Sequence, residues 1–315
     1  MVLKRSTQTI PNNGKGHQQL VLQSMVWPGL IALFIFAYLP MAGLVMVFQD
    51  YDIIKGFFAS PWVGFKHFRD FFTNPQFSVL MKNTLILSFA KILFGFPAPI
   101  ILALMFNEIT QKATKRVFQT ITYMPYFLSW VVVGGMLSAM LAVDGGSVND
   151  FLVRFGMIKE PINFLSEPKY FRTILVASNI WKSIGYNAII YIAAIAGINH
   201  EMYEAAEVDG ASRIRQMISI TIPEIAPQIM IMLIMQIGQL LNAGYEDILI
   251  LTNNCDNTVL LEVGDVIDTY VYRFGIKMHR YSYSAAVGLF KAIISVILVW
   301  FANAASKKFT DNSLW

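Results

Sequence analysis

The chain has 315 residues, of which 56% are hydrophobic and only 14% charged, with a mean hydropathy of +0.53. Soluble globular domains carry about 25% charged residues, so an ordinary soluble domain is excluded, and an aromatic content of 14% excludes a disordered chain. A single cysteine, Cys255, rules out an internal disulfide and a Cys-based metal centre, and the Lys and Arg behind the net charge of +4 form no stripe of the kind that nucleic acid requires.

Crossing about 30 Å of hydrocarbon takes roughly 20 helical residues. Six stretches qualify, at about 22–48, 84–106, 117–143, 171–197, 224–251 and 284–305. The expected fold is all-α, a polytopic membrane protein with six transmembrane helices. It comprises an N-terminal segment 1–21, a transmembrane domain 22–305 and a tail 306–315. Lys4, Arg5 and Lys15 precede the first stretch, but it is too long for a signal peptide and no small-residue cleavage site follows, so it reads as a retained helix. Pro28, Pro40, Pro97, Pro99, Pro125 and Pro227 fall inside the stretches and Pro223 at the edge of the fifth. A bundle tolerates them because neighbouring helices satisfy the freed carbonyls, and packing kinks are the favoured reading over a gating hinge.

Six spans put both termini on one side. The Lys and Arg totals of the two sides are close, so the decision falls to the charges at span ends: Lys112, Lys115 and Arg116 in a short connector, and Lys307 and Lys308 in the tail. These make the termini cytoplasmic. Three outer segments remain, 49–83, 144–170 and 252–283, and their aromatic content (Phe57, Trp62, Phe65 and Phe71 in the first) points to folded caps.

The inner connection at about 199–223 changes composition abruptly. Glu201, Tyr203, Glu204, Ala205, Ala206 and Glu207 predict a short helix, Asp209 and Gly210 a corner, and Ser212 the cap of a second helix. Glu204-Ala205-Ala206, three residues, Gly210, nine residues, then Ile220-Thr221-Ile222-Pro223 resembles the E-A-A-x3-G-x9-I-x-L-P signature of permease subunits in binding-protein-dependent ABC importers. Ile222 replaces the usual Leu, a swap that conserves volume.

The resemblance implies a type I importer permease fold in the bacterial cytoplasmic membrane. Glu204, Ala205, Ala206, Asp209, Gly210, Ala211 and Pro223 would form the loop that docks on a separate ATPase. It further implies a second, non-identical permease, two ATP-binding subunits and an extracellular lipid-anchored or periplasmic solute-binding protein. ATP and Mg would be held by the ATPase subunits, and this chain contains no G-x-x-x-x-G-K-[ST] phosphate loop. Residues 60–71, 266–273 and 281–291 look like those of permeases for polysaccharides or complex oligosaccharides.

Polar groups at membrane depth are the candidate substrate path. Lys91, Lys182 and Lys291 lie within spans, where a central lysine costs about 2.5–3.5 kcal/mol on insertion scales. They either snorkel or pack, or they line a basic outer cavity for an acidic sugar; no acidic residue lies deep in a span to neutralise them, and Glu246 and Asp247 sit near an outer end. Gln236 and Gln239 share a helix face and suit sugar hydroxyls or interhelical hydrogen bonds equally. Trp181, Tyr186 and Tyr191 pack or stack on sugar rings, with packing favoured. An ion-coupled secondary transporter is the alternative, weakened by the lack of carboxylates inside spans. No nucleophile and base mark an intramembrane enzyme.

Overall fold

The computed structural model describes residues 13–310, and the chain divides after Phe65 into two compact units. In the first, helix α1 (Asn13–Leu33) continues through a π turn at Phe34–Tyr38 and 3-10 turns at Leu39–Phe48. The π turn ends two residues before Pro40, whose ring would clash with the carbonyl four residues back in a regular helix. The chain then folds back, with Asp50 N donating to Pro61 O at 2.9 Å and Val63 N to Phe48 O at 2.8 Å. The one-turn α2 (Gly56–Ala59) is closed by Ser60, whose Oγ donates to Gly56 O at 2.6 Å and accepts from Asp52 N at 3.1 Å.

In the second unit, α3 (Lys66–Phe72) precedes α4 (Phe77–Gly95) and α5 (Pro97–Asn107). Next come α6 (Lys112–Tyr123), a 3-10 turn at Met124–Phe127, α7 (Trp130–Met140) and α8 (Ser147–Arg154). The 29-residue α9 (Pro168–Ala196) leads into α10 (His200–Val208). Helix α11 (Arg213–Gln216) passes through a π turn at Met217–Thr221 into α12 (Ile222–Gly238). The short α13 (Glu246–Leu251), α14 (Thr258–Gly264) and α15 (Ile267–Tyr272) precede α16 (Tyr281–Thr310).

Helix α9 is the axis of this unit: α4, α5, α6, α12 and α14 all pack on it. Leu87, Phe171, Leu175 and Ile248 join α4, α9 and α13 in one cluster, while Ala103, Ala188, Tyr191 and Ile225 join α5, α9 and α12 in another. Gly185 lets α9 meet α6 backbone to backbone, since a Cβ there would overlap the Thr122 carbonyl and lie 3.0 Å from Tyr123 N. Small residues at such crossings are how helices approach closely in a bilayer.

Four helices are long and apolar enough to cross a membrane, Gln23–Phe48, Phe77–Asn107, Arg213–Gly238 and Tyr281–Lys308. Two bent pairs bring the number to six if each is one span. At most 22% of the residues in the most apolar windows of those four helices are buried. Their apolar side chains therefore face outward, where lipid can receive them.

Two expected boundaries are corrected. The stretch 117–143 is not one helix: α6 and α7 meet at 102°. Pro125 supplies no amide to the turn, and Ser129 restarts the chain by accepting from Val132 N at 3.3 Å. The stretch 224–251 ends its helix at Gly238, and α13 is a separate element beyond Gly244, whose φ is +121°. Of the expected terminal segments, residues 1–12 and 311–315 lie outside the described residues. Helices α1 and α16 run through positions 21–22 and 305–306 without interruption.

The segments expected to lie outside are folded. Asn83 Nδ2 donates to Glu262 O at 3.0 Å, Arg172 Nη2 to Asn83 Oδ1 at 2.7 Å and Arg172 Nε to Val263 O at 3.0 Å, fastening α14 onto α4 and α9. In 144–170, the fully buried Asn149 donates to Ala142 O at 2.8 Å and to Ile162 O at 2.9 Å, and accepts from Ile162 N at 2.9 Å. Asn149→Ala strips partners from three backbone groups, each costing about 1–3 kcal/mol if left buried and unsatisfied. Limited proteolysis of membranes is expected to cut this segment faster in the variant, and equal rates would show that the asparagine does not hold it.

Candidate functional site

The loop after α9 builds itself from local signals. Asn199 accepts from Glu201 N at 3.1 Å and so caps α10. The helix stops because Gly210 takes φ +75°, with its N–H donating to Glu207 O at 3.0 Å and Ala211 N to Ala206 O at 2.9 Å, the paired bonds of a Schellman end. Ser212 accepts from Arg215 N at 3.4 Å and starts α11. Tyr203 and Thr221 share a 2.8 Å hydroxyl hydrogen bond that ties α10 to the base of α12. Glu204, Ala205, Asp209, Gly210 and Pro223 are exposed, and Ala206 and Ala211 are half-buried. Val208 and Ile214, on either side of the corner, are 89% and 70% exposed, an apolar surface that water does not favour.

A cavity of about 200 Å³ opens between α4–α5, α9 and α12. Helix α9 contributes Asn179, Ser183, Asn187 and Tyr191, spaced four apart and hence on one face. Gln236 and Gln239 enter near the end of α12, and Ser88 and Lys91 from α4. Lys91 is anchored, its Nζ donating to Asp247 Oδ2 at 2.7 Å and to Ala243 O at 2.6 Å. Gly244 makes this possible, because a Cβ there would lie 2.6 Å from Lys91 Nζ. Lys91 is thus neutralised by Asp247, expected only near an outer end, which corrects the expectation that no acid does so. Its partner lies 156 residues away in sequence, on α13.

The three lysines do not converge. Lys291 of α16 pairs with Asp268 of α15. Lys182 Nζ donates to Tyr126 O at 2.7 Å and lies 5.2 and 5.7 Å from the ring centroids of Tyr126 and Trp130. It thereby satisfies a carbonyl in the break between α6 and α7, with a cation–π contribution. Tyr186 stacks on Tyr126 at 3.8 Å and 3°, and the half-exposed Trp181 lies outside the cavity lining. So Lys91, Gln236 and Gln239 come together, whereas Trp181, Lys182, Tyr186 and Lys291 lie elsewhere. Sequence reasoning passed over Ser88, Asn179, Ser183 and Asn187. The signal for the last three was a polar stripe at intervals of four in an otherwise apolar helix.

Residues 95–311, which include α9, the loop and α12, match the family model described as binding-protein-dependent transport system inner membrane component. The chain belongs to this family. The permease is therefore a multi-pass membrane component of a transport system, and the ion-coupled alternative is set aside. It is 44% identical to the polygalacturonan/rhamnogalacturonan transport system permease protein YteP of Bacillus subtilis (strain 168), over 95% of this chain and 91% of YteP. It is also similar to a chain of a bacterial ABC transporter involved in the import of the acidic polysaccharide alginate. That match has 41% identity and a TM-score of 0.83, covering 93% of this chain and 97% of that one. A second crystal structure holds the alginate transporter in complex with an alginate pentasaccharide-bound periplasmic protein. It matches at 40% identity and a TM-score of 0.83, over 95% and 98% of the two chains.

Proposed function

We propose that the permease forms half of the translocation path of an ATP-driven oligosaccharide importer and couples to a separate ATPase through loop 199–223. One observation carries this reading: the self-capped α10 is tied by Tyr203 to Thr221, in the continuous helix Arg213–Gly238 whose far end brings Gln236 toward the cavity. A push on the exposed face of Glu204 and Ala205 is transmitted along a helix to the polar groups that would meet the solute. Amide and hydroxyl groups suit a hydroxyl-rich ligand, in keeping with the sugars named for the similar transporters.

A second, non-identical permease supplies the other half, and two ATPase subunits bind ATP and Mg. A lipid-anchored or periplasmic binding protein delivers the oligosaccharide, and this chain performs no catalysis of its own. The termini lie on the cytoplasmic side with the loop. Ala205→Cys, labelled with a short photo-crosslinker in membranes of the complete system, is expected to capture an ATPase subunit. Cys255 is buried, which leaves the new thiol as the reactive one. Capture of no ATPase from Ala205, under conditions where uptake persists, would overturn the docking role.

A further inference from the structure

We propose that the cavity is a subsite for a carboxylate-bearing sugar unit, with Lys91 as its specificity-determining donor and Ser88 beside it. The inference rests on the oligosaccharide reading and adds the charge class of the substrate. Among the residues that line the cavity, Lys91 is the sole charged one. Asp247 is 2% exposed and outside the lining, so Lys91 is the member of the pair that meets the cavity.

An ammonium has three N–H donors, and the protein engages two of them, at Asp247 Oδ2 and Ala243 O. A ligand carboxylate meeting the third from the cavity side stands closer to Nζ than to the aspartate. Coulomb energy falls with distance, so the net interaction is attractive. Ser88 supplies an independent observation. It precedes Lys91 by one helical turn, is 3% exposed, and its Oγ has no hydrogen-bond partner among the described residues. A buried hydroxyl left alone is costly, and this one lines the same cavity, ready to donate to a second carboxylate oxygen. A neutral sugar would need only the amides and hydroxyls. Burying an ion pair is not a stabilising choice in itself, and its use here is to hold a cation at the wall without the penalty of an unpaired charge.

The test uses the complete importer in proteoliposomes, with the binding protein saturated by trigalacturonate or by its neutral methyl ester, and reads the ratio of acid to ester uptake. The wild-type complex is expected to favour the acid. Lys91→Met combined with Asp247→Asn removes the pair without stranding a charge and is expected to lower the ratio about tenfold or more, the scale of one charge-assisted hydrogen bond. Asp247→Asn alone strips the counter-charge and is expected to raise it. Ser88→Ala is expected to lower it about threefold, the scale of a neutral hydrogen bond, and decides the matter if the double variant does not assemble.

An unchanged ratio in the double variant, or in Ser88→Ala where that one decides, overturns the subsite. Equal uptake of acid and ester by the wild type overturns the subsite alone, since oligosaccharide import then stands. Uptake of neither by the wild type overturns the oligosaccharide reading and the subsite with it.

Discussion

Gly210→Val is expected to lower substrate uptake more than about tenfold and to abolish stimulation of ATP hydrolysis by the loaded binding protein, while the permease still inserts and assembles. Gly210 has φ +75° with nothing within 4 Å of a built Cβ, so the substitution meets no neighbour. Its effect is conformational. An L-residue in the left-handed region costs roughly 1–2 kcal/mol, more when β-branched. The chain relieves this by giving up the two bonds that end α10, Gly210 N to Glu207 O and Ala211 N to Ala206 O. The direction of α10 relative to α11 is then lost, together with the alignment that the proposed docking requires. Gly210→Asn separates this account from a simple need for smallness, because asparagine tolerates the left-handed region. Uptake by the Asn variant is expected to stay near wild type. Equal loss in both variants would contradict the conformational explanation.

Gly185→Ala is expected to destabilise the bundle by about 1–3 kcal/mol, the usual cost of overpacking, and to lower the melting temperature of the purified permease by several degrees. The added methyl would strike the Thr122 carbonyl, which is backbone and cannot rotate away. Helices α6 and α9 must separate, which also strains the Lys182–Tyr126 hydrogen bond and the Tyr126–Tyr186 stack. Gly135→Ala on α7 serves as the control, since a Cβ there meets nothing within 4 Å. A similar loss in both, or in neither, would show that the α6–α9 crossing is not the tight point. Thermal unfolding in detergent measures both.

The existence of the spans was legible because twenty apolar residues in a row have few other solutions. The loop was legible because each of its signals is local: Asn199, Gly210 and Ser212 act within four residues of themselves. The break at Met124–Phe127 was only half legible. Pro125 announced a kink, but its 102° size depends on Ser129 restarting the helix and on Lys182, 56 residues on, accommodating the exposed carbonyl. The Lys91–Asp247 pair could not be read at all, since proximity across 156 residues is a property of the packed bundle. Lysines judged by depth alone look unneutralised. The cavity stripe of α9 was readable in principle, because Asn179, Ser183 and Asn187 recur every four residues in an otherwise apolar helix.

The π turn at Met217–Thr221 sits where α11 becomes α12, ending two residues before Pro223. Each residue of an α-helix advances the azimuth by about 100°, so the extra residue held in that wide turn sets the rotational phase between the loop end of the rod and the end bearing Gln236. Shortening the turn by one residue would swing that glutamine about a quarter revolution away from Lys91, leaving the elbow intact but the gearing misindexed.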